Sequence, residues 1–194
     1  TTPWSWTDTV STWSWDAAPG APVTVDVYAG ADEVELLLDG DSLGTLPVGA
    51  EKALVARFET AFRPGELVAV ARRAGRETGR HVLRTAGTPR LQAHAERDEV
   101  AVGGLAFVVI TLADDDGIAV ADRDVPVEVS VSGPGVLAGL GSGRAQTEES
   151  FGASAYTTYD GRLLAVVRVD GSGEVVVTAS ADGYDEVGTS VVGV

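Results

Sequence analysis

Apolar side chains in this chain recur at every second position, in short runs that Gly, Asp or Pro repeatedly breaks. Val23-Thr24-Val25-Asp26-Val27-Tyr28 alternates without a fault. A period of two sorts side chains onto the two faces of a pleated strand, whereas a helix needs a period near 3.6. Val34-Glu35-Leu36-Leu37-Leu38 follows, then Asp39-Gly40, a hairpin signal between apolar runs. A strand over Leu67–Ala71 is entered through Arg63-Pro64-Gly65, and a turn at Ala74-Gly75 leads to another over about Gly79–Thr85. From Glu51 to Phe62 two periods compete. Leu54, Val55, Phe58 and Phe62 fit a helix, while Phe58, Thr60 and Phe62 fit a strand. The strand is preferred, because its neighbours are strands and Arg63-Pro64-Gly65 turns the chain at once.

Thr85-Ala86-Gly87-Thr88-Pro89 reads as a linker. Beyond it, strands are predicted at Leu91–Ala95, Leu105–Leu112, Val125–Val131, Leu163–Val169, Val175–Ala179 and Val187–Val192. Short strands between Gly-rich turns predict β-sandwiches, and each half is close to the ~100 residues of an immunoglobulin-like one. The expected fold is all-β, with two tandem immunoglobulin-like β-sandwich domains over residues 1–88 and 89–194.

Composition removes several function classes. There is no cysteine, hence no disulfide, thiolate metal site or cysteine nucleophile. The net charge of −15 repels phosphate backbones, so nucleic acid is not an expected partner. The acidity is uneven, at −4 over residues 1–88 and −11 over 89–194. No apolar run is long enough to predict a membrane-spanning helix. The chain opens Thr1-Thr2-Pro3 without a signal-peptide pattern and holds no methionine, as expected of a processed or cut product. The compartment is left unassigned.

The candidate chemical motifs have simple structural readings. Gly133-Pro134-Gly135-Val136-Leu137-Ala138 has the glycine spacing of a dinucleotide fingerprint but lacks its strand–turn–helix setting, and a tight turn into a short strand or loop explains it. Asp114-Asp115-Asp116-Gly117, with Asp122 and Asp124 nearby, lacks the ligand order of a calcium loop and reads as a turn. His81 and His94 have no ligand-like spacing around them. Gly139-Leu140-Gly141-Ser142-Gly143 puts its serine one place late for a nucleophile elbow. Glycoside hydrolysis would need two converging carboxylates, and the acids here fall mostly at turns or on polar strand faces. The expectation is no catalytic site, no metal and no cofactor.

The four tryptophans remain, all within Trp4-Ser5-Trp6 and Trp13-Ser14-Trp15. In an extended segment each pair points two indoles to one face. Trp4, Trp6, Trp13 and Trp15 are therefore candidate contacts to carbohydrate or to a neighbouring domain. Aromatic enrichment at protein interfaces favours the domain, and some of the four are candidates to cap the first core.

The segment Val25 to Gly44, with Asp-x-Val-Glu-Leu at Asp32–Leu36 and Asp39-Gly40-Asp41-Ser42-Leu43-Gly44, resembles a C-terminal domain of glycoside hydrolase family 2. Phe62–Leu67, Arg84–Pro89 and the opening Trp4-Ser5-Trp6 extend the likeness. Asp39 stands where that family usually has asparagine. The second half resembles the next domain of the same enzymes, through Phe107–Thr111, Asp115–Gly117, Val129–Gly135, Gly141–Gly143, Glu148–Phe151 and Asp160–Arg168. It is also similar to bacterial immunoglobulin-like modules of adhesins. The resemblance implies a β-galactosidase-like parent whose catalytic glutamates lie in a barrel outside this chain. The chain itself would be a non-catalytic accessory region that supports the catalytic domain, shapes the active-site approach or forms oligomer contacts. The implied partners are upstream domains of the same polypeptide. The rival readings are a carbohydrate-binding module using the Trp pairs and a cell-surface interaction module.

Overall fold

The computed structural model describes residues 9–121 and 123–194 and divides the chain into two compact units, Thr1–Thr85 and Ala86–Val194. Both are built from strands, and the fold is two tandem immunoglobulin-like β-sandwiches.

The first unit pairs β1 (Pro22–Tyr28) with β4 (Val55–Ala61) in one sheet. The other sheet has the order β3-β2-β5-β6, from β2 (Glu33–Leu38), β3 (Asp41–Pro47), β5 (Glu66–Arg73) and β6 (Arg76–Arg84). Val34, Leu36 and Leu38 of β2 are buried, while the alternate Glu33 and Glu35 keep contact with water. They meet Ala56 and Phe58 from the far sheet, and Phe62 just beyond it, in one core. The ambiguous segment resolves as a single 3-10 turn at Ala50–Lys52 followed by strand β4. Ala53 and Leu54 both take left-handed φ values, +53° and +62°, which ends any helix. Val25 of β1 lies opposite Phe58, so cross-strand pairing overrides the helical spacing.

The second unit stacks a five-stranded sheet, β12-β10-β14-β15-β8, on a four-stranded one, β11-β13-β9-β7. The first contains β8 (Glu99–Val100), β10 (Pro126–Ser132), β12 (Ala155–Thr157), β14 (Gly173–Ser180) and β15 (Val187–Gly193). The second contains β7 (Arg90–Ala95), β9 (Leu105–Ala113), β11 (Gly135–Gly141) and β13 (Arg162–Val169). Val108, Ile110, Leu112, Leu163, Ala165 and Val167 face Val127, Val129, Val175 and Val177 across the core. Two strands, β8 and β12, were not expected, and β11 was expected only as a short strand or loop. β8 and β12 are too short to show alternation, and β11 is diluted by glycine. The Gly133–Ala138 pattern is a turn into β11, with Gly133 at φ +89° and Gly135 N–H donating to its carbonyl.

Asp39-Gly40, Ala74-Gly75 and Asp160-Gly161 each have positive φ at both residues, the twist that suits tight hairpins. Asp39 also accepts the Glu66 N–H at 2.8 Å, tying its turn to the start of β5. Gly161 is further constrained, because a Cβ there would lie 2.1 Å from the Val120 carbonyl oxygen. Gly117, at φ +76°, faces open space. Gly117→Ala should cost the second unit about 1 kcal/mol, the left-handed penalty alone. Gly161→Ala should cost about 2–4 kcal/mol in urea unfolding, since a steric clash adds to it.

Candidate functional site

The tryptophan segment was the leading sequence candidate. Trp4 and Trp6 lie outside the described residues. Trp13 is only 2% exposed, so the expectation that its indole offers a face to a ligand or another domain is corrected. Its ring meets Phe62 edge-on, with centroids 5.2 Å apart. Its Nε1–H donates to the Arg63 carbonyl at 3.0 Å, so burial leaves no polar atom unpaired. Thr85 Oγ1 donates to the Trp13 carbonyl at 2.9 Å and accepts the Gly65 N–H at 3.1 Å. The segment is thereby laced to the Arg63-Pro64-Gly65 turn and to the end of the first unit. Trp15 is half-buried against the same core. Trp13→Ala should destabilise the first unit by about 3–5 kcal/mol in denaturant unfolding, the cost of deleting a buried aromatic. A change within 0.5 kcal/mol, a typical surface effect, would contradict this placement.

The acidic loop is built around Asp114. Its carboxylate accepts the N–H groups of Gly87 at 2.7 Å, Ile118 at 2.8 Å and Asp116 at 3.0 Å. These donors, Gly87 foremost, hold its pKa below the ordinary value against the opposing effect of burial. Asp115 pairs with Arg90 and Asp124 with Arg144, while Asp122 lies outside the described residues. Among the described residues no three His, Cys, Asp or Glu groups converge as a metal site would require. The folded pKa is the lower one, so Asp114 contributes stability above its unfolded pKa, and that contribution is lost on acidification. The second unit should therefore weaken as pH falls below about 4. Asp114→Asn should lower its stability at pH 7 and flatten that acid limb.

Asp26, Glu35, Glu77 and Asp170 are likewise held below ordinary carboxylate values, by hydrogen bonds from Arg57, Ser42, Arg80 and Arg168 respectively. The general acid of a glycosidase needs the opposite displacement. His81 on β6 and His94 on β7 are both exposed and lie in different units.

Sequence reasoning missed one feature, a groove of about 580 Å³ on the outer face of the β11-β13-β9 strands. Gly139 and Gly141 form part of its floor, and Phe151 lies across them. A Cβ on Gly139 would sit 3.1 Å from the Phe151 carbonyl oxygen, so glycine there makes room for the crossing segment, while a Cβ on Gly141 would only touch the Phe151 ring. Val109, Leu164 and Val166 complete the apolar lining, with Ser142 and Arg162 as its polar members. The unbroken apolar run Leu105–Ile110 was the available signal, since such runs mark strands covered on both faces.

Comparison with known proteins gives this architecture a context. Residues 90–189 match the family described as glycoside hydrolase family 2 C-terminal domain 5, and residues 20–79 match a domain of unknown function, DUF4982. The chain is 30% identical over 176 residues to beta-galactosidase BoGH2A of Bacteroides ovatus, covering 88% of this chain and 20% of that protein. The crystal structure of a glycosyl hydrolase family 2 member from Bacteroides cellulosilyticus superposes with a TM-score of 0.90 at 30% identity, over 97% of this chain and 27% of that one. A beta-glycosidase from Bacteroides vulgatus shares the fold, with a TM-score of 0.80 at 19% identity over 94% of this chain and 24% of that one. This chain therefore spans about a fifth of the length of the curated relative it matches.

Proposed function

The chain belongs to glycoside hydrolase family 2 through its C-terminal domain 5, and from that premise we propose that it is the non-catalytic C-terminal part of a β-galactosidase-like glycosidase. In this reading the same polypeptide carries further domains, one of which hydrolyses O-glycosidic bonds. The two sandwiches support that domain, border the approach to its active site or contribute oligomer contacts. The observation that carries the reading is the superposition on a family 2 enzyme over 97% of this chain but only 27% of the enzyme, for both sandwiches in this order. The chemistry of the chain agrees with it. Among the described residues, the carboxylates whose pKa values are displaced are all stabilised in the charged form, as hydrogen-bonded structural groups are.

Trp4, Trp6 and the accessible part of Trp15 are assigned to contacts with those further domains, with carbohydrate as the alternative. Trp13 itself is fixed to the first unit. The purified 194-residue chain should fold and leave nitrophenyl β-galactoside intact, while the complete polypeptide hydrolyses it. Turnover by the chain alone that vanishes when one of its own carboxylates is replaced would overturn the proposal.

A further inference from the structure

The two outer faces of the second sandwich differ in kind. The five-stranded sheet shows water a polar, acidic surface that includes Glu128, Ser130 and Glu174. That is the usual solvated side of an antiparallel sheet. The four-stranded sheet shows Leu105 (48% exposed), Phe107 (38%), Leu164 (37%) and Val136 (48%). Phe107 and Leu164 are contiguous through Val109 and Val166, Leu105 and Val136 flank Arg168 at one end, and Gln92, His94 and Thr111 make the β7 side polar. Phe107 lies opposite Val166, Val109 opposite Leu164, and Gly139 and Gly141 opposite Val166 and Leu164 in turn. Phe151, 63% exposed, continues the patch beside the glycine floor. An outward apolar patch of this kind marks a surface that another surface covers.

The charges narrow what covers it. The strands β7, β9, β11 and β13 contain no Asp or Glu, although their unit carries 17 acidic and 6 basic residues. Arg90 and Arg168 are paired at the margins with Asp115 and Asp170. Arg162, which lines the groove, has no such partner for its guanidinium among the described residues. Ser142 Oγ, also in the groove, is shielded from water and has no hydrogen-bond partner among the described residues. A second copy docked on this face by two-fold symmetry would bring arginines against an equally acid-free patch. A sugar would find almost no polar groups on the floor. An apolar protein surface bearing a carboxylate satisfies the patch and Arg162 together.

We infer that the outer face of the β11-β13-β9-β7 sheet is the surface by which this chain docks onto the rest of its own polypeptide. The groove receives apolar side chains, and Arg162 receives an acidic one. The inference rests on the proposed glycosidase parent, whose relatives are several times longer than this chain and so supply the surface required.

Hydroxyl-radical footprinting of the isolated chain and of the complete polypeptide tests it. Leu105, Phe107, Phe151 and Leu164 should react several-fold less in the complete polypeptide, while Val192 of the opposite sheet stays equally reactive in both. Leu164→Glu and, separately, Arg162→Glu should restore the reactivity of Phe107 and Phe151 in the complete polypeptide without lowering the thermal midpoint of the isolated chain. Equal reactivity of the four residues in both forms would overturn the inference. So would their protection in the isolated chain through self-association seen by sedimentation, or only on adding a galacto-oligosaccharide. Galactoside hydrolysis by the complete polypeptide, measured alongside, separates the two ideas. Hydrolysis with an unprotected face sinks the docking alone, and a protected face without glycosidase activity sinks the parent reading alone.

Discussion

Each sheet in this protein has one face that must leave water, and the inner face of its partner sheet is the main surface that covers it. In the second unit Val108, Ile110 and Leu112 from one sheet meet Val127, Val129 and Val177 from the other, all essentially without solvent contact. The side-chain period of two then leaves no freedom outside. Once Val108 and Ile110 point inward, Phe107 and Val109 must point outward. The apolar outer patch is therefore set by the same register that builds the core. It cannot be hidden by slipping a strand, because a one-residue shift would expose the core set instead.

The turns and closures hold that register. Asp39-Gly40 and Asp160-Gly161 fix hairpins in which a left-handed pair supplies the right twist. The irregularity between Leu137 and Gly139 in β11 shifts the pairing with β13 and puts glycine where the loop bearing Phe151 crosses. Leu140 N–H donates to the Phe151 carbonyl at 2.8 Å, and the Phe151 ring stacks on buried Tyr156 at 5.7 Å. One aromatic side chain thus has its inner side against the core and the rest of its surface toward the groove. Phe151 belongs to the sandwich and to the patch at once.

Electrostatics shape this molecule more through placement than through strength. Exposed pairs such as Arg80 with Glu77 contribute little individually. What matters is that the acids are concentrated away from the β11-β13-β9-β7 sheet. The strongly negative charge keeps the rest of the surface solvated, while the strands of one face carry no acid and the guanidinium in its groove has no carboxylate partner among the described residues. Asp114 shows the other use of a carboxylate here. It gathers three backbone donors and fixes the loop between β9 and β10 together with the start of the second unit.

Alternation alone determined that this chain builds pleated layers, where most strands run and which residues enter the core, because that periodicity is a local property of the chain. It also preferred a strand over a helix before Phe62, since Pro64 and its neighbours are local too. The short strands β8 and β12 were not legible, because two or three residues carry no period and form only against a partner already in place. Nor could the sequence say which tryptophan is inside. Trp13 and Trp15 flank the same serine, and only the folded turn at Arg63 supplies the carbonyl that lets an indole N–H be buried. The groove, too, exists only when Gly139, Phe151 and Leu164 meet. Side-chain period is written along the chain, but concavity, pairing of polar atoms and the charge of a whole face arise from residues far apart in it.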